Sequence, residues 1–228
     1  MGAHLRLFTA NLLNGGADPD RFADLLQREQ IDVVCLQELS HDQADAVAEV
    51  LPYGELMPSD DFVGMGIALR RPAVLEVIPM VYRRAHVATL SPEHWPELPK
   101  PVEVIDVHFA APHSPPVWAQ PARRASQFDD LLRYVQASSE RTRVVVGDFN
   151  ASPVWPLYRR MAALLDDLVS AHARRCGKRP RPTWPVWAGP ALLRIDHCFG
   201  RGVDVETCRM LDIPGSDHYG IRLDLSIA

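Results

Sequence analysis

The side chains best suited to chemistry stand at the ends of four apolar, strand-like runs. Each of these run ends carries an acid, an amide or an imidazole: Gln37-Glu38, Gly147-Asp148-Phe149-Asn150, Asp196-His197 and Gly215-Ser216-Asp217-His218. Strands surface at such positions, and catalytic groups are usually mounted there. Carboxylate and amide oxygens are hard ligands, which favour Mg²⁺ or Mn²⁺. If the four ends converge, they form one site for metal-assisted chemistry on phosphate.

Glu38 follows the buried run 31–36, where a carboxylate is costly unless it is paired or binds a cation. It is therefore predicted to be a metal ligand, although alone it would be read as a solvated residue at a strand exit. Asp148 and Asn150 alternate across Phe149, so an extended backbone would point both into one cavity. There the carboxylate can orient and deprotonate a water, and the amide can hold that water or a phosphate oxygen. An Asx-turn is the plainer alternative.

The pair Asp217-His218 offers a second carboxylate beside an imidazole. A histidine can stabilise charge developing on phosphorus or act as an acid or base near neutral pH. Asp196 ends another strand and is the best candidate to orient His218. His108, at the end of a further strand, could stabilise or protonate the leaving oxygen, although a lone histidine there is as often structural. Solvated turn residues are the alternative for the Asp217-His218 pair.

The elements expected to position these groups alternate between strands and helices. Asp18-Pro19 and Ser40 are typical helix starts, the second opening a helix over 41–50, and Ser152-Pro153 is predicted to open another with an apolar stripe at Met161, Leu164 and Leu165. A long helix follows the proline-rich loop 112–121, and 173–190 is predicted to be a second such loop. Strands are predicted over 5–10, 31–36, 65–69, 74–82, 102–109, 143–146, 194–199, 203–210 and 219–225, with 65–69 and 74–82 joined by a turn near Arg70-Arg71-Pro72.

Runs of consecutive strands occur in both halves of the chain. This order indicates two mixed sheets packed face to face with helices outside, rather than one parallel sheet. The chain has 228 residues, of which 47% are hydrophobic and 23% charged, so a single domain over 1–228 is expected. The net charge of −5 argues against bulk electrostatic binding of DNA but not against a nuclease, because a metal site is itself acidic.

Targeting signals and cysteine usage indicate a cytoplasmic protein. No apolar run is long enough to span a bilayer, and the start of the chain lacks a signal peptide, so no stable membrane insertion is expected. The four cysteines form no CxxC pair and are interpreted as reduced thiols. The oligomeric state is left open.

Taken together and in order, these motifs resemble the endonuclease/exonuclease/phosphatase superfamily, which has the DNase I-like fold. The motifs are Asn11, Leu36-Gln37-Glu38, His108, Gly147-Asp148-Phe149-Asn150, Arg194-Ile195-Asp196-His197 and Ser216-Asp217-His218. The resemblance covers nearly the whole chain. It implies an α/β fold, a four-layered α/β sandwich with two mixed β-sheets packed face to face and helices outside. It also implies that the site lies at one end of the two sheets.

The resemblance further implies a role for each matched residue. Glu38 is similar to the principal Mg²⁺ ligand of the family, and Asn11 and Asp217 match residues close to the metal. Asp148 and Asn150 match the water-activating and phosphate-orienting pair, and His218 matches a phosphate-contacting imidazole paired with Asp196. His108 resembles the histidine of the deoxyribonuclease and sphingomyelinase branches. The carboxylate that usually supports this histidine cannot be placed in the sequence. Mg²⁺ or Mn²⁺ is the expected cofactor.

Substrate contacts are sought among basic residues near aromatic ones. The stretch from Arg174 to Arg181 is basic and precedes Trp184 and Trp187, so Arg181 and Trp184 could hold a nucleic-acid backbone and stack a base. A solvated loop with buried tryptophans is the alternative. Arg123 and Arg124, after the first proline-rich loop, could contact phosphate or merely cover the surface.

The expected activity is divalent-metal-dependent hydrolysis of a phosphodiester by in-line attack of an activated water, with nucleic acid as the substrate. The first alternative is a phosphatase acting on a small or lipid-linked phosphoester. A catalytically silent binding module comes third, because the motifs are intact. No exposed aromatic hairpin that would insert into a membrane is evident from the sequence.

Overall fold

Two six-stranded mixed sheets form the centre of the computed structural model, which describes residues 3–186 and 189–227. The first sheet has the strand order β11-β12-β1-β2-β4-β3 and the second the order β5-β6-β7-β8-β10-β9. The strands are β1 (Ala3–Asn11), β2 (Val33–Gln37), β3 (Tyr53–Met57), β4 (Met65–Leu69), β5 (Val74–Met80), β6 (Arg83–Leu90), β7 (Val102–His108), β8 (Arg143–Asp148), β9 (Asp166–Asp167), β10 (Asp196–Arg201), β11 (Asp204–Asp212) and β12 (Tyr219–Ile227).

In residues 3–186 and 189–227, five α-helices pack against the sheets. They are α1 (Pro19–Arg28), α2 (His41–Val50), α3 (Gln120–Ala137), α4 (Pro156–Ala162) and α5 (Leu168–Arg175), and a 3₁₀ helix at Val117–Ala119 leads into α3. Helix α1 packs its buried Phe22, Leu25 and Leu26 against the first sheet. Helix α3 packs Phe128, Leu131 and Val135 against the second. A third apolar cluster fills the space between the sheets, so the four-layered α/β sandwich is confirmed.

Local chemistry explains where the first helices begin. The Asp18 side chain accepts from the Arg21 N–H at 3.0 Å, and Pro19 occupies the first position of α1. Ser40 and Gln43 form a capping box at the start of α2. Both predicted helix starts are confirmed.

Four predictions about elements were wrong or incomplete. Helix α4 begins at Pro156 rather than at Ser152-Pro153, because Pro156 supplies the fixed φ of the first helical turn. Residues 168–175 form α5, so the second proline-rich stretch is a loop only beyond Arg175. Strands β3 and β6 were missed, because β3 is largely exposed and β6 opens with two arginines. The turn near Arg70-Arg71-Pro72 joins no hairpin, since β4 and β5 belong to different sheets.

Strand direction brings the site residues to one edge. Strands β1 and β2 pair in parallel, as do β7 and β8, so their carboxyl ends lie together. Strands β12 and β10 run antiparallel to these neighbours and therefore start at the same edge. In register, His108 is opposite Asp148, and Asp148 is opposite Asp196. Six strand ends from two sheets thus meet at one end of the sandwich.

Candidate active site

A cleft of about 550 Å³ opens at this shared edge. Its polar floor contains Glu38, His108, Asp148, Asp217 and His218, which come from both sheets. Its walls are mainly apolar and include Pro112, Pro115, Trp155, Trp184 and Leu193. Such a cleft, with a few convergent polar groups, is typical of a ligand-binding or active site.

Asn11 holds two carboxylates together at the floor. Its Nδ2 donates to Glu38 Oε1 at 3.0 Å and to Asp148 Oδ2 at 3.2 Å. Its Oδ1 accepts from the Leu13 N–H at 3.0 Å. This hydrogen-bond network assigns the amide orientation, and it makes Asn11 a positioning group whose nitrogen, not its oxygen, faces the carboxylates.

Asp148 and Asn150 reach the same cavity by a turn rather than by extended alternation. Asn150 has a φ of 47°, in the left-handed region, so its predicted extended backbone was wrong. The turn lets the Asn150 N–H donate to Asp148 Oδ1 at 2.7 Å and its Nδ2 donate to Asp148 Oδ2 at 3.1 Å. Asn150 Nδ2 also donates to the Phe109 carbonyl at 3.0 Å. The Asx-turn alternative and the convergence of both side chains are therefore both present.

Burial makes Asp148 a stronger base than an ordinary aspartate. Burial, and then the nearby Asp196 carboxylate, raise the pKa of Asp148 to about 7, although His218 acts in the opposite direction. Glu38, also in the left-handed region with a φ of 54°, has its pKa raised by burial despite the Asn11 hydrogen bond. Perturbed carboxylates that cluster in a cleft are typical of functional sites.

His218 is held as an imidazolium by its acidic surroundings. His218 Nδ1 lies 2.9 Å from Asp196 Oδ2, which confirms the predicted pairing geometrically. Burial alone would lower the pKa of His218, but Asp196, with Asp148 and Asp217, raises it to about 10. Its Nε2 lies 3.8 Å from Asp217 Oδ1 and is available to donate to an anionic ligand.

His108 differs from His218 because it is neutral. Its Nε2 lies 3.7 Å from Glu38 Oε1 and 3.9 Å from Asp148 Oδ2. Burial, then the charges of Arg83 and His218, lower the pKa of His108 well below its usual value. Among the described residues Nδ1 has no hydrogen-bond partner. A neutral ring can donate one N–H to a leaving oxygen, but it does not carry the spare proton of an acid.

Asp217 is fixed by a residue of the cleft wall. Trp184 Nε1 donates to Asp217 Oδ2 at 2.8 Å, which leaves Oδ1 without a hydrogen-bond partner among the described residues. Trp184 is held in turn by backbone pairing with Leu193. Trp184 therefore does reach the cleft, but its indole N–H is already engaged.

The donor set fits a divalent cation. Glu38, His108 and Asp148 place one ligand atom each within 4.8 Å of one another, as do Asp148, Asp196 and His218. The unpartnered Asp217 Oδ1 adds a further oxygen nearby. A cation there would offset the burial of several carboxylates, and oxygen ligands suit Mg²⁺ or Mn²⁺.

Arg83 is a candidate site residue that the sequence alone did not reveal. It begins β6 and lines the cleft, where burial lowers its pKa and the carboxylates of Asp61, Glu38 and Asp148 raise it. Its one hydrogen bond among the described residues goes to the Phe62 carbonyl at 3.3 Å. Most of its guanidinium donors therefore stay free for an anion. The only signal in the sequence was the pair Arg83-Arg84 directly after the predicted strand 74–82.

The predicted substrate-binding arginines are placed differently from one another. Arg124 is buried and donates to the carbonyls of Ala110 and Asn150, so it anchors the loops behind the cleft. Arg123 lies over the exposed Tyr82 ring at 4.5 Å, near the mouth. Arg181 lies over the Tyr219 ring at 5.6 Å.

Two weaker candidates do not contribute to the cleft as described. His197 points away from it and packs against Phe149, as its position beside Asp196 in the strand predicts. Trp187 lies outside the described residues.

An acidic, metal-competent cleft at the end of a two-sheet sandwich defines a class of phosphoesterases. The profile of the endonuclease/exonuclease/phosphatase family matches residues 8–218, so this chain belongs to that family. Metal-dependent phosphoester hydrolysis is the activity of the superfamily. No match was found among curated protein sequences.

Solved structures share the fold at low sequence identity. An endonuclease/exonuclease/phosphatase from Beutenbergia cavernae is 21% identical with a TM-score of 0.77, over 99% of this chain and 72% of that one. The human Nocturnin catalytic domain with bound sulfate anion is 19% identical, with a TM-score of 0.72 over 100% of this chain and 96% of that one. A humanized D. rerio TDP2 is 20% identical, with a TM-score of 0.73 over 98% of this chain and 99% of that one.

Proposed function

We propose that this protein hydrolyses phosphodiesters of nucleic acid in a reaction that depends on Mg²⁺ or Mn²⁺. The observation that carries this proposal is the convergence of four carboxylates and two histidines, one cationic and one neutral, at one cleft. The similarly folded Nocturnin catalytic domain was solved with a bound sulfate anion, a tetrahedral anion like phosphate. The cytoplasm remains the proposed location.

Glu38 and Asp217 would hold the metal, with Asn11 keeping Glu38 and Asp148 in place. When bound, the metal would neutralise non-bridging phosphate oxygens and so favour nucleophilic attack. These assignments are supported by the carboxylate oxygens of a largely buried acidic cluster. They also agree with the unpartnered Oδ1 of Asp217.

The remaining groups divide the work of hydrolysis. Asp148 orients a water and takes its proton, and Asn150 fixes Asp148 and faces the same cavity. The imidazolium of His218, oriented by Asp196, and the guanidinium of Arg83 donate to phosphate oxygens as charge spreads over them. Neutral His108 donates a hydrogen bond to the leaving oxygen, which takes its proton from solvent water as the P–O bond breaks. No covalent intermediate with the protein is required.

A second candidate function is hydrolysis of a small phosphomonoester or a lipid-linked phosphate. The observation that favours it is the apolar character of the cleft walls, which could hold a small apolar group beside the phosphate. One substrate panel separates the two candidates.

The test measures hydrolysis of supercoiled plasmid, single-stranded RNA and a set of phosphomonoesters, each with Mg²⁺, Mn²⁺ or EDTA. Wild type is compared with Glu38→Ala, and with Glu49→Ala as a control on the exposed face of α2. We expect metal-dependent cleavage of nucleic acid that Glu38→Ala loses while its circular dichroism is unchanged. Phosphate release from monoesters with nucleic acid left intact would favour the second candidate. Retained Mg²⁺-dependent turnover in Glu38→Ala would reject the metal assignment.

A further inference from the structure

Large apolar side chains are exposed on segments that line the catalytic cleft. Trp118 is 85% exposed, Tyr82 73% and Leu192 71%. Tyr82 precedes the cleft residue Arg83, Leu192 precedes Leu193, and Trp118 follows Pro115 by three residues. Together with the exposed cleft residues and one exposed neighbour, they form a set that we call the apolar collar: Phe62, Tyr82, Trp118, Val154, Trp155 and Leu192. A concentration of exposed apolar groups at one site, rather than single residues scattered over a surface, indicates a binding function.

Arginines stand beside the aromatic members of the collar. The Arg123 guanidinium lies 4.5 Å from the centroid of the Tyr82 ring, and Arg83 follows Tyr82 directly and reaches the catalytic floor. A ring that can stack a base, next to a cation that can contact a phosphate, is the arrangement by which proteins bind unpaired nucleotides. Charge and aromatic surface are therefore complementary to a flexible polyanion that carries flat apolar groups.

The depth of the floor limits the form of that polyanion. His108, Asp148 and His218 are buried, and Pro112 and Pro115 stand in the wall above them. A duplex keeps its bases stacked on one another and cannot stack them on the exposed rings of the collar. An unpaired strand can bend into the cleft and place its bases on these rings.

We propose that the apolar collar binds unpaired nucleotides on either side of the scissile phosphate, so that the substrate is single-stranded nucleic acid. This proposal rests on the phosphodiesterase function proposed above. A bilayer fits the collar less well, because the acidic pair Asp60-Asp61 precedes Phe62 and would meet an anionic lipid surface. A single strand can instead place its phosphates on Arg123 and Arg83, whose positive charge offsets that of Asp61.

The experiment measures binding of fluorescently labelled oligonucleotides in EDTA, where cleavage is prevented. A single strand and a duplex of the same sequence are titrated with wild type, Tyr82→Ala and Trp118→Ala. Tyr53→Ala is the matched control, because Tyr53 is also an exposed tyrosine but begins β3, at the end of that strand away from the cleft. We expect tighter binding of the single strand, weakened roughly 5-fold or more in each collar variant and unchanged in the control.

Equal affinity for duplex and single strand would overturn the proposal, as would collar variants that bind like Tyr53→Ala. A blue shift of tryptophan fluorescence on phosphatidylglycerol vesicles, lost in Trp118→Ala and without oligonucleotide binding, would assign the collar to a lipid surface instead. Hydrolysis of bis(p-nitrophenyl) phosphate by wild type with Mg²⁺ is measured separately. A null result there contradicts the phosphodiesterase function, whereas the metal-free titration decides the role of the collar.

Discussion

At the scale of single residues, the proposed mechanism depends most directly on Asp148. Its carboxylate accepts from the Asn150 backbone and from the Asn11 and Asn150 amides, and its burial raises its basicity. We expect Asp148→Asn to lower kcat on the order of 10³-fold or more, because an amide cannot accept the proton of the attacking water. Steady-state kinetics on bis(p-nitrophenyl) phosphate would measure this loss. A decrease of less than about tenfold would show that another group acts as the base.

Arg83 and Arg84 are neighbours with different surroundings, which makes them a natural comparison. Arg83 reaches the cleft, whereas Arg84 Nη1 contacts Met57 Sδ at 3.2 Å. We expect Arg83→Gln to lower kcat/KM about 100-fold, because a charged donor to the phosphate is lost in a partly buried site. Arg84→Gln should have little effect on the same assay. Equal losses in the two variants would indicate that net positive charge, rather than the position of Arg83, matters.

The clustering of the candidate catalytic groups was predictable, because each is a reactive residue type at the end of a recognisable strand. Glu38, Asp148, Asp196 and His218 do lie together, and Asp196 does pair with His218. Arg83 and the bond from Trp184 to Asp217 were not predictable. They depend on how a hairpin and a distant loop fold over the end of the sandwich, and no local residue pattern carries that information.

At the scale of elements, β9, α5 and the start of β10 are tied together by one buried ion pair. Arg194 Nη2 donates to Asp167 Oδ2 at 2.7 Å, and Asp167 also caps α5 by accepting from the Ser170 N–H at 2.9 Å. Burial alone would raise the pKa of Asp167, but the hydrogen bond and charge of Arg194, helped by Tyr158 and Ser170, lower it to about 2. The pair steadies the chain two residues before Asp196.

This pair should make stability depend on pH in the acid range. The pKa of Asp167 is lower in the folded than in the unfolded state, so its stabilisation is present above about pH 4 and is lost as the pH falls towards 2. We expect Asp167→Asn to destabilise the protein by about 3 kcal/mol at pH 7, since Arg194 is left buried without its partner. The difference from wild type should shrink between pH 4 and pH 2.

Urea unfolding at each pH measures this difference, with Asp166→Asn as the control because Asp166 is exposed beside Asp167. A difference between wild type and Asp167→Asn that stays constant down to pH 2 would contradict the role of the charge.

The elements that the sequence predicted best were those with local signals, such as the caps of α1 and α2. Strand β3 gave no alternating apolar pattern, because it is an edge strand whose residues are largely exposed.

At the scale of the whole molecule, the two sheets are joined behind the site by a polar contact within the apolar core. Gln37 Nε2 donates to Asp106 Oδ1 at 2.6 Å, from β2 in one sheet to β7 in the other. Thr9 Oγ1 also lies 3.2 Å from Gln37 Nε2. Burial raises the pKa of Asp106 well above its usual value despite the Gln37 hydrogen bond. Because Glu38 follows Gln37 and His108 lies two residues beyond Asp106, this contact aligns two site-bearing strands.

We expect Asp106→Ala to lower the free energy of unfolding by about 1–3 kcal/mol, since the buried Gln37 amide loses the nearer of its two acceptors. The double variant Gln37→Leu with Asp106→Leu should be less destabilised than the sum of its single variants, because no unpaired polar group remains. Denaturant unfolding of the four proteins gives the coupling. Additive effects would show that the contact does not link the sheets energetically.

The overall layering followed from the order of elements, whereas the connections between layers did not. The two runs of strands predicted two sheets, which the structure confirms. The chain crosses from one sheet to the other between β4 and β5, where the sequence suggested a hairpin. Whether two successive strands pair or separate depends on long-range packing, which outweighs the local turn signal.

In the described part of the chain, no helix is long and apolar enough to cross a bilayer.

The central position of β1 beside β12 has a consequence for biosynthesis. These strands come from opposite ends of the described chain, and they pair from Ala3 with Ile227 to Thr9 with Ile221. Strand β12 must therefore emerge from the ribosome before β1 can gain this neighbour, and Asp217 and His218 cannot meet Glu38 earlier. Assembly of the candidate site is thus a late event in the synthesis of this domain.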